Sequence, residues 1–463
     1  MQLPTNNLQD VLLACDPGEP LTPGDPRYMD FSLLRQGIGL ASLQSELSAP
    51  VRGRFHHRVL CGHRGCGKST ELLALKHWAD RQGFQAVHTE VDRHFAVTEL
   101  EFTDLYLLAA TVVEESMSGF GKPLPEEKIK RVVSWFAEVI KEEKHDVKSE
   151  LAVEAEAQLG GKFPLGLGKL FAKFTAGMKG ASSHAITTRQ KIRNYPITLI
   201  DLTNDLLRAA NESLGSDKPK GLLILFDNLD RYEPTVIDRA LFRSSDLIRR
   251  IECNAVFAIP IALEYDPPAG AIQDCYGFSI VLPMLALRSK NDAWAADVAG
   301  SPFIPDAIEN VRNALALRLD LEKLFDNPAH VDLLIRMSGG CIRDLMHLIN
   351  LAYSHVIDSS RFTYEAVLCA IRDMRGTYLR RLNNDDYMRL AQIARRVNVP
   401  RDALTNRLLF NRFALEYLDE EQEPWMDVHP LVIETEPFRN AFASLSPLKH
   451  AKDVRETGRG SGS

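Results

Sequence analysis

The sequence predicts an α/β fold in which a parallel sheet is followed by a helical domain and a small C-terminal module. Short apolar runs alternate with helical patterns up to about residue 290, which is typical of a parallel sheet covered by helices. Helical patterns then continue without strands to about residue 382. Hydrophobic residues make up 45% of the 463 positions, so the chain can bury a large core.

Five apolar runs are predicted strands, at 57–62, 84–92, 221–230, 254–261 and 278–284. Helices are predicted between the strands at 68–81, 103–117 and 236–251. Later helices are predicted at 305–324, 329–337, 341–357 and 363–381.

These patterns divide the chain into five parts. They are an N-terminal arm at 1–50, a sheet domain at 51–290, a helical lid at 291–382, a C-terminal module at 383–440 and a disordered tail at 441–463. The regular alternation of the sheet domain is interrupted by a helical and basic insertion at about 118–200.

Composition excludes several classes of protein. The formal net charge of -7 argues against a generally basic nucleic-acid binder. Seven scattered cysteines without a CxxC pair favour free thiols in a reducing cytoplasm over a disulfide framework or a zinc site. No run approaches the roughly 20 apolar residues of a membrane span, and the N-terminus lacks the pattern of a signal peptide.

The segment Gly62–Ser69, GHRGCGKS, fits the phosphate-loop pattern G-x-x-x-x-G-K-[ST]. It lies between a predicted strand and a predicted helix, which is the context this loop requires. Glycines let the backbone approach a phosphate, and the helix N-terminus favours an anion. The Lys68 ammonium can reach the β- and γ-phosphates of ATP, and the Ser69 hydroxyl can bind Mg²⁺. The predicted nucleotide-binding set is Gly62, His63, Arg64, Gly65, Cys66, Gly67, Lys68, Ser69 and Thr70.

A second signal lies in the run from Leu222 to Asp230, LLILFDNLD. Apolar residues lead directly into Asp227, at the end of the predicted strand. A carboxylate at that position can hold Mg²⁺ directly or through water. We therefore predict that Asp227 and Ser69 form the metal site.

These motifs resemble those of the AAA+ and STAND branches of the phosphate-loop ATPases. GHRGCGKST is similar to their nucleotide loop, and LLILFDNLDR to the form found in STAND-type and KAP-type members. SGGCIRDL at 338–345 resembles the lid motif, also found in origin-recognition-like members, whose arginine senses the γ-phosphate. The resemblance implies a five-stranded parallel sheet, an all-α lid, ATP hydrolysis to ADP and phosphate, nucleotide-dependent self-assembly, and a sensing role for Arg343.

The sequence departs from the AAA+ pattern at two points. The glutamate that polarises water in these ATPases is replaced by Asn228, so hydrolysis should be slow or should depend on Asp230. No Lys or Arg occupies 261–278, where an arginine acting on a neighbouring subunit is usual. The candidates elsewhere are Arg243, Arg249, Arg250 and Arg288.

The C-terminal module has the order of a winged helix. Helices are predicted at 384–396 and 401–412, followed by strands at 413–419 and 425–433. The second helix carries polar residues that could face a DNA groove: Arg401, Thr405, Asn406, Arg407 and Arg412. Acidic residues crowd the predicted wing and would repel phosphate, so packing on the ATPase domain is the favoured role.

Residues 157–200 form a glycine-rich segment without any acidic residue. Its cations are Lys162, Lys169, Lys173, Lys179, Arg189, Lys191 and Arg193. It could bind nucleic acid, a partner protein or, least of all, a membrane surface, or it could pack on the acidic stretch at 141–156.

The sequence thus indicates a cytoplasmic ATPase switch that assembles, or engages a separate effector protein, when ATP and Mg²⁺ are bound. By analogy with STAND proteins, bacterial signalling or anti-phage defence is the expected setting. The alternatives are a DNA-associated ATPase of the initiator or transposition-regulator type and a nucleotide-bound scaffold without turnover.

Overall fold

The computed structural model describes residues 2–37, 39–49, 55–141, 167–179, 183–266, 269–295, 297–357, 359–397 and 399–445. Helices of eight or more residues are numbered below. Within these ranges, no helix is both long enough and apolar enough to cross a membrane.

A five-stranded parallel sheet forms the centre of the fold, with the strand order β2-β3-β4-β1-β5. The strands are β1 His57–Gly62, β2 Phe84–Glu90, β3 Gly221–Asp227, β4 Asn254–Pro260 and β5 Ile280–Leu282. The side chains of β4 are buried throughout, as expected for a strand covered on both faces. The predicted α/β fold with a parallel sheet is confirmed. Since all strands run in one direction, the residues that follow β1 and β3 meet at the same edge.

Helices surround the sheet and build the regions that follow it. The N-terminal arm contains α1 Ala41–Ser48. In the sheet domain the helices are α2 Lys68–Arg81, α3 Phe102–Gly119, α4 Glu126–Lys141, α5 Leu167–Lys179, α6 Ser183–Asn194, α7 Pro196–Leu214 and α8 Ala269–Tyr276. The lid contains α9 Pro305–Ala316, α10 Pro328–Met337, α11 Ile342–Ser354 and α12 Tyr364–Leu379. The C-terminal module contains α13 Asn384–Ala394, α14 Ala403–Phe410 and α15 Glu436–Ser444, with the antiparallel strands β6 Ala414–Leu418 and β7 Pro424–Val428.

Three predicted elements are shorter or more broken than the sequence pattern indicates. The predicted helix at 236–251 is a series of short turns, Pro234–Ile237, Asp238–Phe242 and Ser245–Ile248, and the middle one is a π turn. The predicted helix at 305–324 ends at Ala316 and resumes as the turn Leu321–Leu324. The fifth strand ends at Leu282, because Pro283 cannot donate a ladder hydrogen bond.

The described part of the glycine-rich segment, 167–179, is helical because it is packed. Helix α5 lies against α3 and buries Leu170, Phe171 and Phe174. On the next helix, Arg189 is buried and pairs with Asp104 of α3 and, at 3.0 Å, with Glu99. Burial raises the pKa of Asp104 to about 6, although Arg189 opposes the shift. Residues 142–166 and 180–182, including Lys162, lie outside the described residues.

In the C-terminal module, the predicted order of two helices and a β-hairpin is present. The second strand ends at Val428 rather than 433, because His429 caps a short helix that begins at Pro430. The chain stays helical to Ser444, past the predicted start of the tail at 441. Residues 446–463 of that tail lie outside the described residues.

The hairpin joins the module to the sheet domain. The Met284 N–H donates to the Glu416 carbonyl at 3.1 Å, just beyond β5. Leu415 and Tyr417 pack in one apolar cluster with Leu60 of β1. The Glu416 side chain is itself buried and accepts a hydrogen bond from the Tyr265 hydroxyl.

A buried ion pair joins the module to the lid. The Asp344 carboxylate of α11 accepts from Arg412 at 3.0 Å and from the Tyr378 hydroxyl at 3.0 Å, and it lies 3.4 Å from His429. Burial alone would raise the pKa of Asp344, but Arg412 and His429 hold it well below its usual range. Loss of one partner would leave a buried charge uncompensated, which typically costs about 3–5 kcal/mol.

Glu416 gives the attachment of the module a dependence on pH. Burial raises its pKa to about 7, with Glu264 adding to the shift and the hydrogen bond from Tyr265 opposing it. A carboxyl group whose pKa is raised by folding binds more protons in the folded state. Its contribution to stability is therefore lost as the pH rises from its ordinary pKa of 4.5 to about 7.

We expect the free energy of unfolding to fall between about pH 4.5 and pH 7, with Glu416 contributing on the order of 3 kcal/mol of the fall. Glu416→Gln cannot ionise and should flatten the fall. Urea unfolding across this pH range measures the effect, with the exposed Glu421→Gln as the control. Identical pH profiles for the wild type and Glu416→Gln would contradict the assignment.

Candidate nucleotide-binding site

The predicted phosphate loop connects β1 to α2 at the carboxyl edge of the sheet, and its glycines have no space for a side chain. A Cβ atom on Gly62 would lie 2.7 Å from the Leu282 carbonyl oxygen. Gly65 has a φ of 81°, and a Cβ there would lie 2.7 Å from the Cβ of Arg343. Only glycine combines this dihedral angle with such close neighbours. The loop is therefore held between β5 and the lid.

Lys68 opens α2 and is buried in the loop. Its ammonium donates to the Gly62 carbonyl at 2.8 Å and to the His63 carbonyl at 2.7 Å, and it pairs with Asp230 at 2.8 Å. Burial alone would lower the pKa of Lys68, but the Asp230 carboxylate raises it above its usual value. A buried ammonium at a helix N-terminus that holds a carboxylate has the chemistry of an anion site. Asp230, three residues past the end of β3, reaches this site directly.

Asp227 ends β3 and lies beside the loop. It accepts a hydrogen bond from His88 at 3.0 Å, another from the Ser69 hydroxyl, and a third from the Asn228 N–H at 2.7 Å. Burial would raise the pKa of Asp227, but these hydrogen bonds lower it below its usual value and keep it ionised. A hydroxyl and an ionised carboxylate in contact are ligands that suit Mg²⁺. The predicted pair Ser69 and Asp227 is thus brought together.

His88 was missed by sequence reasoning. It lies on β2, next to β3 in the sheet, and its side chain is largely buried. The strand, FQAVHTE, contains several polar residues, so nothing in its sequence distinguishes His88. Its partner Asp227 lies 139 residues away, so sequence spacing could not reveal the pair.

The N-terminal arm forms one wall of a cavity over the loop. Tyr28 and Phe31 of the arm face the cavity, opposite Leu315 and Met346 of the lid. The loop residues 65–71 form its floor. The cavity therefore combines apolar side chains of the arm and the lid with the loop that carries Lys68, a combination that suits a planar base joined to phosphates.

Two residues of the arm, Leu21 and Arg35, hold it on the loop and on the first turn of α2. Buried Arg35 donates to the Cys66 carbonyl and pairs with Glu71 at 2.9 Å. The Thr70 hydroxyl accepts from the Leu21 N–H at 3.2 Å. The side chain of Thr70 thus contacts the arm directly.

Two side chains of the predicted nucleotide-binding set turn away from the cavity. The Nδ1–H of His63 donates to the Leu409 carbonyl at 3.2 Å, and its Nε2 accepts from the Glu416 N–H at 2.8 Å. Burial, together with Lys68 and Arg412, lowers the pKa of His63 to about 3, so this histidine is neutral. Arg64 donates to the carbonyls of Asp230 and Arg231. His63 and Arg64 can therefore offer only backbone N–H groups to a phosphate.

Arg343 begins the lid helix α11 against the loop. Besides its contact with Gly65, its Nε donates to the Pro17 carbonyl of the arm at 3.3 Å. It lines the same cavity as Lys68. The lid, the arm and the loop therefore meet at this arginine.

Of the arginines suggested to act on a neighbouring subunit, Arg288 is excluded. It is buried, lies 3.7 Å from the centre of the Trp294 ring and pairs with Asp427 at 3.6 Å. Arg243 is exposed and pairs with Asp238, while Arg249 and Arg250 are exposed. Arg288 was a wrong candidate because the C-terminal module buries it. The residues next to Arg288 in the sequence do not indicate this burial.

Helix α14 packs on the chain itself, and of the residues suggested to face DNA, Arg401 and Arg407 stay exposed. It packs against the turn Ile261–Tyr265 of the sheet domain. The polar residues in and beside α14 contact other parts of the chain: exposed Arg401 over the Tyr265 ring at 5.8 Å, Thr405 with the Pro400 carbonyl at 2.7 Å, Asn406 by burial, exposed Arg407 with Asp386 and Arg412 with Asp344. The favoured packing role matches these contacts.

Several cations of the basic insertion are also engaged. Arg193 pairs with Glu101 at 3.2 Å, and Lys191 donates to the Val139 carbonyl at 3.2 Å. Lys169 and Lys173 are exposed on α5. The predicted basic surface is thus smaller than the sequence charge indicates.

No family model and no curated relative matches the sequence. Among solved structures, the chain is similar to the Walker-type ATPase PABY2304 of Pyrococcus abyssi, with 13% identity and a TM-score of 0.40 over 92% of this chain and 99% of that one. It is also similar to the Aeropyrum pernix Orc1 protein in complex with DNA, with 14% identity and a TM-score of 0.35 over 94% and 96%. A third similar structure is Cdc6p from Pyrobaculum aerophilum, with 11% identity and a TM-score of 0.35 over 93% of this chain and 98% of that one. At these scores, the function rests on the site itself.

We expect Lys68→Ala to lower the affinity for ATP and Mg²⁺ at least tenfold, which is about 1.4 kcal/mol, because it removes the buried cation of the loop. Calorimetric titration measures this affinity. Lys76→Ala is the matched control, since Lys76 lies on the same helix and pairs with Asp80 at 2.8 Å near the surface. Unchanged binding by Lys68→Ala would show that the loop is not the nucleotide site.

Proposed function

We propose that this chain is an ATP-dependent molecular switch that hydrolyses ATP slowly. The observation that carries the proposal is the position of the phosphate loop. It contacts the lid through Gly65 and Arg343, and it contacts the C-terminal module through His63. A ligand on this loop would therefore act on both regions at once.

The residues that would hold ATP and Mg²⁺ fit them chemically. The loop N–H groups and Lys68 suit the phosphates, and Ser69 with Asp227 suits Mg²⁺. Bound Mg²⁺ would neutralise part of the phosphate charge. Because Lys68 pairs with Asp230 in this structure, its ammonium must leave that carboxylate in order to bind a phosphate. Binding therefore frees Asp230 and changes the contacts of the β3 end.

The lid can transmit this change to the C-terminal module. Arg343 and Asp344 are neighbours on α11, with Arg343 at the loop and Asp344 in the buried pair with Arg412. Successive residues on a helix point about 100° apart, so one helix faces two regions. A ligand shifts such an equilibrium only by its different affinity for the two states. The γ-phosphate, which ADP lacks, is the source of that difference.

In this proposal, the ATP-bound form assembles with further copies of the chain or engages a separate effector protein. The proposed setting is bacterial signalling or anti-phage defence. The alternative is a DNA-associated ATPase. Gel shifts with and without ATP separate the two. Binding of duplex DNA that weakens steeply as the salt concentration rises would favour the DNA-associated ATPase. The same binding should weaken when Lys169, Lys173 and Lys179 are neutralised together.

We expect Arg343→Ala to bind ADP nearly as wild type but to lose most of its preference for ATP, at least tenfold. A guanidinium at this position can grip phosphate oxygens that only ATP supplies. Calorimetry with both nucleotides measures the preference, and small-angle scattering measures the change of shape on adding ATP. Arg372→Ala is the control, because Arg372 is an exposed lid arginine paired with Glu365 at 3.4 Å.

If Arg343→Ala changes shape with ATP as the wild type does, another residue senses the γ-phosphate. If the wild type binds ATP without any turnover, the chain is a nucleotide-bound scaffold rather than a hydrolytic switch.

A further inference from the structure

Asn228 occupies the position where a general base would be expected, and its side chain is turned towards the end of β2. Its φ is 64°, in the left-handed region that few residues other than glycine adopt. Its amide nitrogen donates to Asp92 at 2.8 Å and lies 3.4 Å from a carboxylate oxygen of Glu90. An amide cannot accept a proton from water, but this one can orient a carboxylate that does.

Three carboxylates near Asn228 or Lys68 are candidates for the general base, those of Glu90, Asp92 and Asp230. Both oxygens of Asp92 are engaged, one with Asn228 and the other with Arg231 at 2.6 Å. Asp230 is paired with Lys68, the ammonium assigned to the phosphates, and an incoming phosphate repels it from that position. Neither is placed to accept a proton from a water molecule beside the phosphate.

Glu90 satisfies the remaining requirements. It ends β2 directly opposite Asp227 in the strand register, and neighbouring strands lie about 4.8 Å apart. It lines the nucleotide cavity, and its side chain is 19% exposed. Its ion partner Arg93 is 72% exposed, so solvent screens that pair and it costs little to break. Glu90 thus lies opposite the aspartate assigned to Mg²⁺ and lines the cavity that would hold the phosphates.

We propose that Glu90 is the general base for ATP hydrolysis and that Asn228 is the positioning residue that orients it. Glu90 takes a proton from water as the water oxygen forms a bond to the γ-phosphorus. The bond from that phosphorus to the β–γ bridging oxygen breaks, and its electron pair stays on ADP. The proton on Glu90 then passes to solvent, which leaves ADP and phosphate. This inference rests on the proposed function.

The experiment compares the wild type with Glu90→Gln, Asp230→Asn and Glu233→Gln in single-turnover hydrolysis with excess protein. Glu233 is an exposed glutamate in the segment after β3. Its change to Gln is the same isosteric substitution and serves as the control. Removal of a general base lowers the rate about 100-fold or more. We expect this loss in Glu90→Gln but not in the control Glu233→Gln, and we expect the affinity of Glu90→Gln for ATP and Mg²⁺ to stay within about twofold of the wild type. A second readout is the nucleotide that stays bound after gel filtration, which should be ATP in Glu90→Gln and ADP in the wild type.

Asn228→Ala and Glu90→Asp keep the test informative if Glu90→Gln folds poorly. Both should bind ATP and hydrolyse it more slowly than the wild type, and full wild-type rates in both would overturn the inference. A wild-type rate in Glu90→Gln would also overturn it, and loss of turnover in Asp230→Asn alone would assign the base to Asp230. A wild type that hydrolyses ATP keeps the proposed function in all these cases. A wild type that binds ATP without turnover refutes the hydrolytic switch and Glu90 together, and one that does not bind ATP refutes the nucleotide site itself.

Discussion

The close approach of the lid to the phosphate loop is the constraint on which the arrangement of the molecule depends. Arg343 lies so near Gly65 that even a methyl group on the glycine would overlap its Cβ atom. Packed interiors have little free volume, so a displacement on one side of such a contact must be taken up on the other. The loop, the lid and the arm at Pro17 therefore behave as one packed unit.

The second feature that organises the site is a pair of charges. Lys68 is buried, and transfer of an ammonium from water into a protein interior is costly unless it is paired. Asp230 and two loop carbonyls supply the compensation. The same acid belongs to the segment after β3, so the pairing also fixes the path of the chain that carries Asn228. One ion pair thus stabilises the loop and shapes the neighbouring turn.

Sequence reasoning found the features whose determinants are local. The loop at 62–69, the strand leading into Asp227 and the parallel sheet follow from spacing and periodicity, and the structure contains them. Interactions between distant segments were not visible in this way. His88, the wall formed by Tyr28 and the burial of Arg288 each depend on a partner far along the chain. The predicted second strand of the hairpin is too long. Val428 and Leu431 are both apolar, so the pattern does not separate the strand from the helix that begins at Pro430.

The bonding of His63 has a consequence for how such a chain can change over evolutionary time. In the loop pattern this position is free to be any residue. Here its imidazole bridges two backbone groups of the C-terminal module, the Leu409 carbonyl and the Glu416 N–H. A side chain without one donor and one acceptor at those places would leave both of these buried backbone groups without a hydrogen-bond partner. The loop and the module are therefore not interchangeable parts: recombination that exchanged either one alone would have to bring a compensating substitution with it.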